Sequence, residues 1–426
     1  LEDKAMHFID LFAGLGGFHI ALRRLGHECV FASEIVPELK SLYRQNFGVD
    51  VADDITKIPV EDIPAHDILC AGFPCQPFSK AGRQKGMQED RGLLINSVIE
   101  ILSYHRPRYF ILENVRNLEK HDNGKTWQYI KEHLEDLGYS VDKRIISPHE
   151  IGIPQHRERI FIVGSIIGLN HFEWFDPKPV KTNVRSIIDD STDDISLKIE
   201  PEKLEVLNTW QQFLDLLPPG IKPYSPLWSV EFGATYPVED IDYSEVEAEI
   251  LWKYKGRFGV PLYGLSKKEI LAALPNYIQH QKGLIPKWKQ NYIKQNRRFY
   301  QENKSRIDTI LPKLKSLQIE SWQKLEWNCP GSDRNLWNHI IQFRGSGVRV
   351  KQTDFFPSLV TVRTQMPIIG WKQRYISKRE GARIQSIPDN IQLPKSLPAA
   401  FKALGNSVNI NIVHEIARSL IRQDIP

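Results

Sequence analysis

The chain has 426 residues, 41% of them apolar and 25% charged, the balance of a globular protein long enough for two or three domains. No apolar run is long enough to cross a membrane as a helix, and a net charge of +4 says little until the positions of the charges are known. Four cysteines, at 29, 70, 75 and 329, form no CxxC pair and no metal-ligand spacing, so no metal site is expected and at least one thiol is expected to stay free in a reducing compartment.

The opening stretch LEDKAMHFIDLF puts charge before a short apolar run, unlike a secretion signal, so a cytoplasmic protein is expected. DLFAGLGGFHIAL (10–22) then reads as a strand, a glycine turn and a helix start. Gly14, Gly16 and Gly17 allow tight turning and close approach of a ligand to the backbone. His19 stands where the third glycine of a dinucleotide fingerprint belongs. CVFASE (29–34) is the next strand, and Glu34 at its end lies 24 residues beyond Asp10, where a carboxylate accepts from both ribose hydroxyls. Asp10 and Glu34 therefore point to a nucleoside-bearing cofactor, not necessarily NAD; a glycine turn that binds nothing is the alternative. DDI (53–55) adds an acid near a third strand edge, where an adenine amino group could be read.

HDILCAG (66–72) is an apolar strand that breaks at Gly72 and Pro74. Cys75 comes next on a loop stiffened by Pro74 and Pro77, past a strand end, where a doubly wound sheet puts its chemistry. An inert loop thiol is the alternative until RYFILENV (108–115), which sets Glu113 at the end of another strand. Two strand ends of one parallel sheet face the same crevice, so Cys75 and Glu113 suit a nucleophile and a proton donor. IPQHRERIFIVG (153–164) places Arg157 and Arg159 two apart before a strand, pointing to one side. Paired guanidiniums beside a cysteine favour its thiolate. With helix-like segments such as 91–104 between the strands, the pattern predicts an α/β fold: a doubly wound, mostly parallel sheet with helices on both faces.

Beyond about residue 170 the alternation stops, and eight of the ten tryptophans fall between 174 and 337. This reads as a second, irregular lobe. Within it KWKQNYIKQNRRFYQENKSR (287–306) holds seven basic residues and one acid among aromatics, which suits a surface binding a nucleic-acid backbone or equally a solvated helix face. SKREGARIQSIPD (377–389) starts like a helix capped by Ser377 with Glu380 three residues on. NIVHEIARSLIRQ (411–423) is an amphipathic helix. The expected division is a first sheet part, 1–172, a lobe, 173–399, and a C-terminal return to the sheet domain, 400–426.

The ordered set DLFAGLGG, GFPCQPFS, ENV, QHRER, REGARIQSIPD and GNSVN resembles the DNA (cytosine-5)-methyltransferases over roughly residues 7–165 and 377–420. The resemblance implies the S-adenosylmethionine-dependent methyltransferase fold with a target-recognition lobe. It implies Phe12, Gly14, Gly16 and Phe18 as the wall of the S-adenosylmethionine pocket, with Asp10, Phe73 and Pro74 beside it, Glu34 on the ribose and Asp54 on the adenine. Cys75 becomes the nucleophile, Glu113 the acid on the cytosine ring, and Arg157 and Arg159 the cations beside them. Gly405, Asn406 and Ser407 close the cofactor site, and Arg379, Arg383 and Gln385 organise the lobe. The loop 79–92 is expected to close over a flipped base. Candidate DNA contacts are Gln76, Ser79, Arg83, Lys85, Arg91, Lys287, Lys289, Arg297, Arg298 and Arg363. The expected function is sequence-specific methylation of carbon 5 of cytosine in double-stranded DNA, as the modification enzyme of a restriction-modification system. An RNA cytosine-5 methyltransferase is the alternative. A monomer is expected, with no stable complex with a cognate endonuclease.

Overall fold

Short β-rich runs that are apolar on both faces lead the chain into its sheet. The computed structural model describes residues 5–74, 94–176, 180–189, 194–331, 333–359 and 365–422. The runs become β1 (His7–Leu11), β2 (Glu28–Ser33), β4 (Ile68–Gly72), β5 (Tyr109–Val115) and β8 (Arg159–Ser165), joined by α1 (Gly17–Arg23), α2 (Pro37–Phe47), the short β3 (Val51–Ala52), α3 (Leu94–His105), α4 (Lys125–Asp136), β6 (Ser140–Ile146) and β7 (Gln155–His156). The sheet order is β3-β2-β1-β4-β5-β8-β6. β1 to β5 pair in parallel, while β8 runs antiparallel to both β5 and β6. No crossover helix separates β6 from β8, and only such a crossover lets successive strands run parallel. One face packs Ile9, Leu69, Phe110, Leu112 and Ile162 against Val98, Leu102, Ile130 and Leu134 of α3 and α4.

The chain then builds a different body. Its helices are α5 (Pro201–Leu216), α6 (Ala248–Leu251), α7 (Lys267–Ala273), α8 (Asn276–Gln279), α9 (Lys287–Glu302) and α10 (Lys304–Ser316). Its strands are β9 (Leu227–Trp228), β10 (Lys324–Asn328), β11 (Ile340–Arg344) and β12 (Gly347–Lys351). After β13 (Phe356–Pro357), which pairs with β7 of the first sheet domain, come β14 (Ile368–Ile369) and β15 (Arg374–Tyr375). The second sheet has the order β15-β14-β11-β12-β10-β9, and Tyr236, Leu251, Leu262, Ile270 and Ile293 form a core of this body. The chain ends with α11 (Lys378–Ile384), α12 (Leu397–Asn406) and α13 (Ile410–Arg422). The cap predicted at Ser377 is present as a reciprocal pair with Glu380. The apolar face of α13 is buried through Ile412, Val413, Ile416 and Leu420.

The chain divides into one unit of residues 1–192, 354–363 and 377–426 and another of 193–353 and 364–376. The expected lobe, 173–399, thus loses both of its ends and a short internal stretch to the sheet domain. Segment 377–399 joins that domain because α11 packs on α12 and because Gln385 donates to the Gln155 side chain at 3.2 Å. No described helix is long and apolar enough to cross a membrane.

Candidate active site

β1, β2, β4 and β5 all point their carboxyl ends to one side, and the site grows from the residues just past each end. After β1 the backbone turns sharply: Phe12 (φ +57°), Gly14 (φ +55°) and Gly16 (φ +76°) are all left-handed. A β-carbon on Gly16 would lie 2.4 Å from the Phe47 ring, and one on Gly17 would lie 2.5 Å from Val408 Cγ2. The closest neighbour of a β-carbon on Gly14 would be the Phe12 carbonyl at 3.9 Å. The sequence assigned close ligand approach to all of these glycines. Gly16 and Gly17 make room for side chains of the protein itself, while the space beside Gly14 is open.

Glu34, at the end of β2, braces the turn. Its carboxylate accepts from the Gly14 N–H at 2.9 Å and from the Val36 N–H at 2.9 Å. Asp54 caps the short helical turn after β3, accepting from Thr56 N at 3.1 Å and Thr56 Oγ1 at 2.8 Å. These bonds, helped by Lys57, hold its carboxyl below the usual range. Phe18 and Phe73 are buried at the inner wall.

Asp10 departs from its expected place beside the cofactor. It is fully buried behind the turn, where Tyr43 Oη donates to it at 3.1 Å. His19 Nδ1 lies 2.9 Å from Tyr43 Oη, and the His19 ring stacks on Phe47 at 4.1 Å. Burial pushes the Asp10 carboxyl up to about 8 and the His19 imidazole down to about 4. Asp10 therefore supports the turn from beneath, and no contact with a ligand is open to it.

On the neighbouring strands Gly72 pairs with Glu113. A β-carbon on Gly72 would touch Phe18 and Val408 at 3.7 Å and the Glu113 carboxylate at 3.8 Å. The glycine turn, the C-terminal segment and the acid of β5 thus converge where β4 ends. Glu113 is buried and paired with Arg159, Nε to Oε1 3.0 Å. Burial raises its carboxyl above the ordinary value, while Arg159 and then Arg157 oppose the rise.

Arg157 is engaged with the C-terminal segment as well. Its guanidinium is buried and donates to the Gly405 carbonyl at 2.8 Å and the Ser407 carbonyl at 3.0 Å. Its backbone N–H donates to Ser147 Oγ at 2.8 Å. It acts on Glu113 through charge and on the C-terminal segment through hydrogen bonds. Ser407 is buried there, and Asn406 is exposed at the end of α12. Arg379 and Arg383, expected to organise the lobe, also serve this unit. Arg379 donates to the Pro388 and Ile391 carbonyls, and Arg383 pairs with Asp389 at 2.7 Å.

A contact with no signal in the sequence pattern holds the strand end of β4. Asn114 Nδ2 donates to the Phe73 carbonyl at 3.2 Å, and Asn114 Oδ1 accepts from Val115 N at 2.8 Å. The ENV motif thus fixes the backbone immediately before Pro74. Cys75, Gln76, Ser79, Arg83, Lys85, Arg91 and Arg363 lie outside the described residues.

The basic run predicted to meet a nucleic-acid backbone spans α9 and the start of α10, and its α9 cations find partners inside their own unit. Arg297 is withdrawn as a contact: its Nε pairs with the fully buried Glu231 at 2.9 Å, and its Nη1 donates to the Tyr236 carbonyl at 2.7 Å. Lys287 and Lys294 share Glu239, Arg298 pairs with Glu302, and Lys289 donates to the Tyr277 carbonyl and Gln281.

Among solved structures, methyltransferase EhMeth of Entamoeba histolytica aligns over 100% of both chains with a TM-score of 0.53 and 15% identity. At that identity the likeness is one of fold, and the fold is that of the S-adenosylmethionine-dependent methyltransferases. The family model described as C-5 cytosine-specific DNA methylase matches residues 6–215 and 243–422, and the chain belongs to that family. Type II methyltransferase M.AluI of Cellulosimicrobium cellulans is 30% identical over 98% of this chain and 92% of its own length. M.DsaV of Dactylococcopsis salina is 48% identical, but over 43% of this chain and 53% of its own.

Proposed function

We propose that this DNA cytosine-5 methyltransferase modifies a specific site in duplex DNA, taking the target cytosine out of the helix and attacking it with Cys75. The residues suit S-adenosylmethionine: Gly14 is open to close approach, Glu34 bonds to its N–H and is the carboxylate proposed for the ribose, and Phe12 and Phe18 are the apolar side chains of the turn. Bound there, S-adenosylmethionine would supply the methyl group that carbon 5 of cytosine takes up.

The protein's part is to make that carbon nucleophilic. The Cys75 thiolate adds to carbon 6 of the ring. Glu113 hydrogen-bonds or protonates ring nitrogen 3, so that electron density collects at carbon 5. Loss of the carbon 5 proton then expels the thiolate. Carbon 6 is stacked inside a duplex, so flipping must precede attack, at a cost of about a few kcal/mol. The observation that carries this reading is the buried Glu113–Arg159 pair opposite Gly72, two residues before Pro74. Burial raises the Glu113 carboxyl above its ordinary value, and the ion pair with Arg159 holds its direction.

The test is methylation of a defined duplex with labelled S-adenosylmethionine by wild type and Cys75→Ser. Transfer should be abolished in the variant while cofactor and DNA still bind. A duplex carrying 5-fluorocytosine at the target should trap wild type covalently. Serine at near wild-type rate would remove Cys75 as nucleophile, and methylation of RNA in preference to duplex DNA would favour the RNA reading.

A further inference from the structure

Resting on the reading that this enzyme acts on duplex DNA, we infer that the hairpin turn at residues 252–263 in the second unit contacts the phosphate backbone of that duplex. The sequence pointed to α9 for this task because cations are densest there. Their carboxylate partners change the choice.

The hairpin is closed by one antiparallel bridge, Lys255 to Pro261, and a 3-10 turn, Arg257–Gly259, forms its tip. The Gly256 N–H donates to the Val260 carbonyl at 2.8 Å and the Leu262 N–H to the Tyr254 carbonyl at 3.1 Å, which sets Tyr254–Gly256 against Val260–Leu262. Trp252, Tyr254 and Leu262 pack into the core of the unit. Lys253 and Lys255 lie between them and are exposed, and Arg257 stands two residues further on at the tip, half-buried. Among the described residues, none of these three cations has a carboxylate partner within ion-pair distance. Lys253, Lys255 and Arg257 therefore form a group of cations without carboxylate partners, unlike Lys287, Lys294, Arg297 and Arg298 of α9.

The turn is also held rigidly. Phe258 has φ +53°, a left-handed conformation that a phenylalanine adopts at a cost. A β-carbon on Gly256 would lie 2.4 Å from the Ala273 carbonyl, and one on Gly259 would lie 3.2 Å from the Gly233 carbonyl. The tip is thus seated on the end of α7 and on the turn at Gly233. Tyr263, 79% exposed, stands beside Trp252 with ring centroids 5.8 Å apart. A held loop that presents three cations without carboxylate partners, Lys253 lying over the Tyr254 ring, beside an exposed aromatic suits a polyanion, and duplex phosphates supply one.

The experiment measures binding of a fluorescent duplex by the full chain across a salt series. For Lys253→Ala/Lys255→Ala/Arg257→Ala, affinity should fall alike for a substrate duplex and for an unrelated one. The slope of log affinity against log salt should flatten by about 0.9 for each phosphate that is no longer neutralised, up to about 3 for the triple variant. Lys287→Ala/Lys294→Ala/Arg298→Ala should keep the wild-type slope. Lys253→Ala/Lys255→Ala leaves the tip residue in place and should flatten the slope by up to about 2 even if the triple variant unfolds. A wild-type slope in both hairpin variants overturns the inference while the enzyme reading stands. Wild type that shows no salt-dependent duplex binding overturns the enzyme reading and this one with it.

Discussion

Glu113 has to hold a proton near a ring nitrogen, and its surroundings pull its acidity in two directions. Burial raises its pKa, while Arg159 at 3.0 Å and the charge of Arg157 lower it. The result is a carboxyl that ionises less readily than a free one and cannot swing away. Glu113→Gln keeps the shape and removes the exchangeable proton, so single-turnover methyl transfer should slow by about 10²–10⁴-fold. Affinity for S-adenosylmethionine, measured by equilibrium titration, should change little, because Glu113 lies on β5 while the glycine turn and Glu34 come after β1 and β2. A large loss of cofactor affinity with near-normal chemistry would assign Glu113 to the wrong partner. At this scale the sequence was legible wherever a residue's chemistry is unusual for its setting: an acid at the end of an apolar strand, or a carboxylate after the second strand. It was silent where a common residue acts through backbone. Asn114 on the Phe73 carbonyl and Arg157 on the Gly405 and Ser407 carbonyls are such cases, since a backbone partner leaves no trace in sequence.

The first β–turn–α element rests on a buried polar cluster. Asp10 of β1, His19 of α1 and Tyr43 of α2 are joined beneath the glycine turn. The Asp10 carboxyl is raised to about 8 by burial, so between about pH 4 and pH 8 the folded chain keeps a proton that the unfolded chain loses. Its contribution to stability is therefore complete below about pH 4 and is lost as pH rises towards 8, with a slope of up to about 1.4 kcal/mol per pH unit. Asp10→Asn removes this titration. Urea unfolding at pH 5 and pH 8 should show the variant gaining on wild type as pH rises, and parallel pH profiles for the two proteins would mean that Asp10 is not the titrating group. The strands and helices of this region were readable because apolar runs and turn residues alternate sharply. β6 was not among the predicted strands: SVDKRII mixes charges into an edge strand with one fully buried residue, so its pattern is weak. The antiparallel direction of β8 comes from connection length, which becomes visible only once β6 is known.

Specificity belongs to the molecule as a whole, because a flipped cytosine looks the same in every sequence and the base pairs around it must be read elsewhere. The family match omits residues 216–242, which lie inside the second unit. A shared catalytic body and a divergent reader would give this pattern. Within the second unit the β11–β12 turn has the features of a reader. Arg344, Gly345, Ser346 and Gly347 form its tip, with open space around Gly345 and φ +148° at Gly347, against which Lys324 crowds. Arg349 nearby is held by Glu326 at 2.5 Å, and burial and Arg349 together lower the Arg344 pKa. Among the described residues Arg344 has no carboxylate within ion-pair distance, so its fork stays available for a base edge, where a bidentate arginine contact discriminates by about 1–3 kcal/mol. Arg344→Ala should therefore relax preference at one base pair of the recognised site while leaving the rate on the best site nearest to wild type and the salt slope changed by at most about 1. The measurement is the methylation rate across a panel of single-base site variants, compared with Lys253→Ala/Lys255→Ala, which should lower all rates together. If Arg344→Ala lowers every member of the panel equally, the turn touches phosphate and the reader lies in another part of the second unit; if neither variant shifts the panel, specificity resides in the sheet domain.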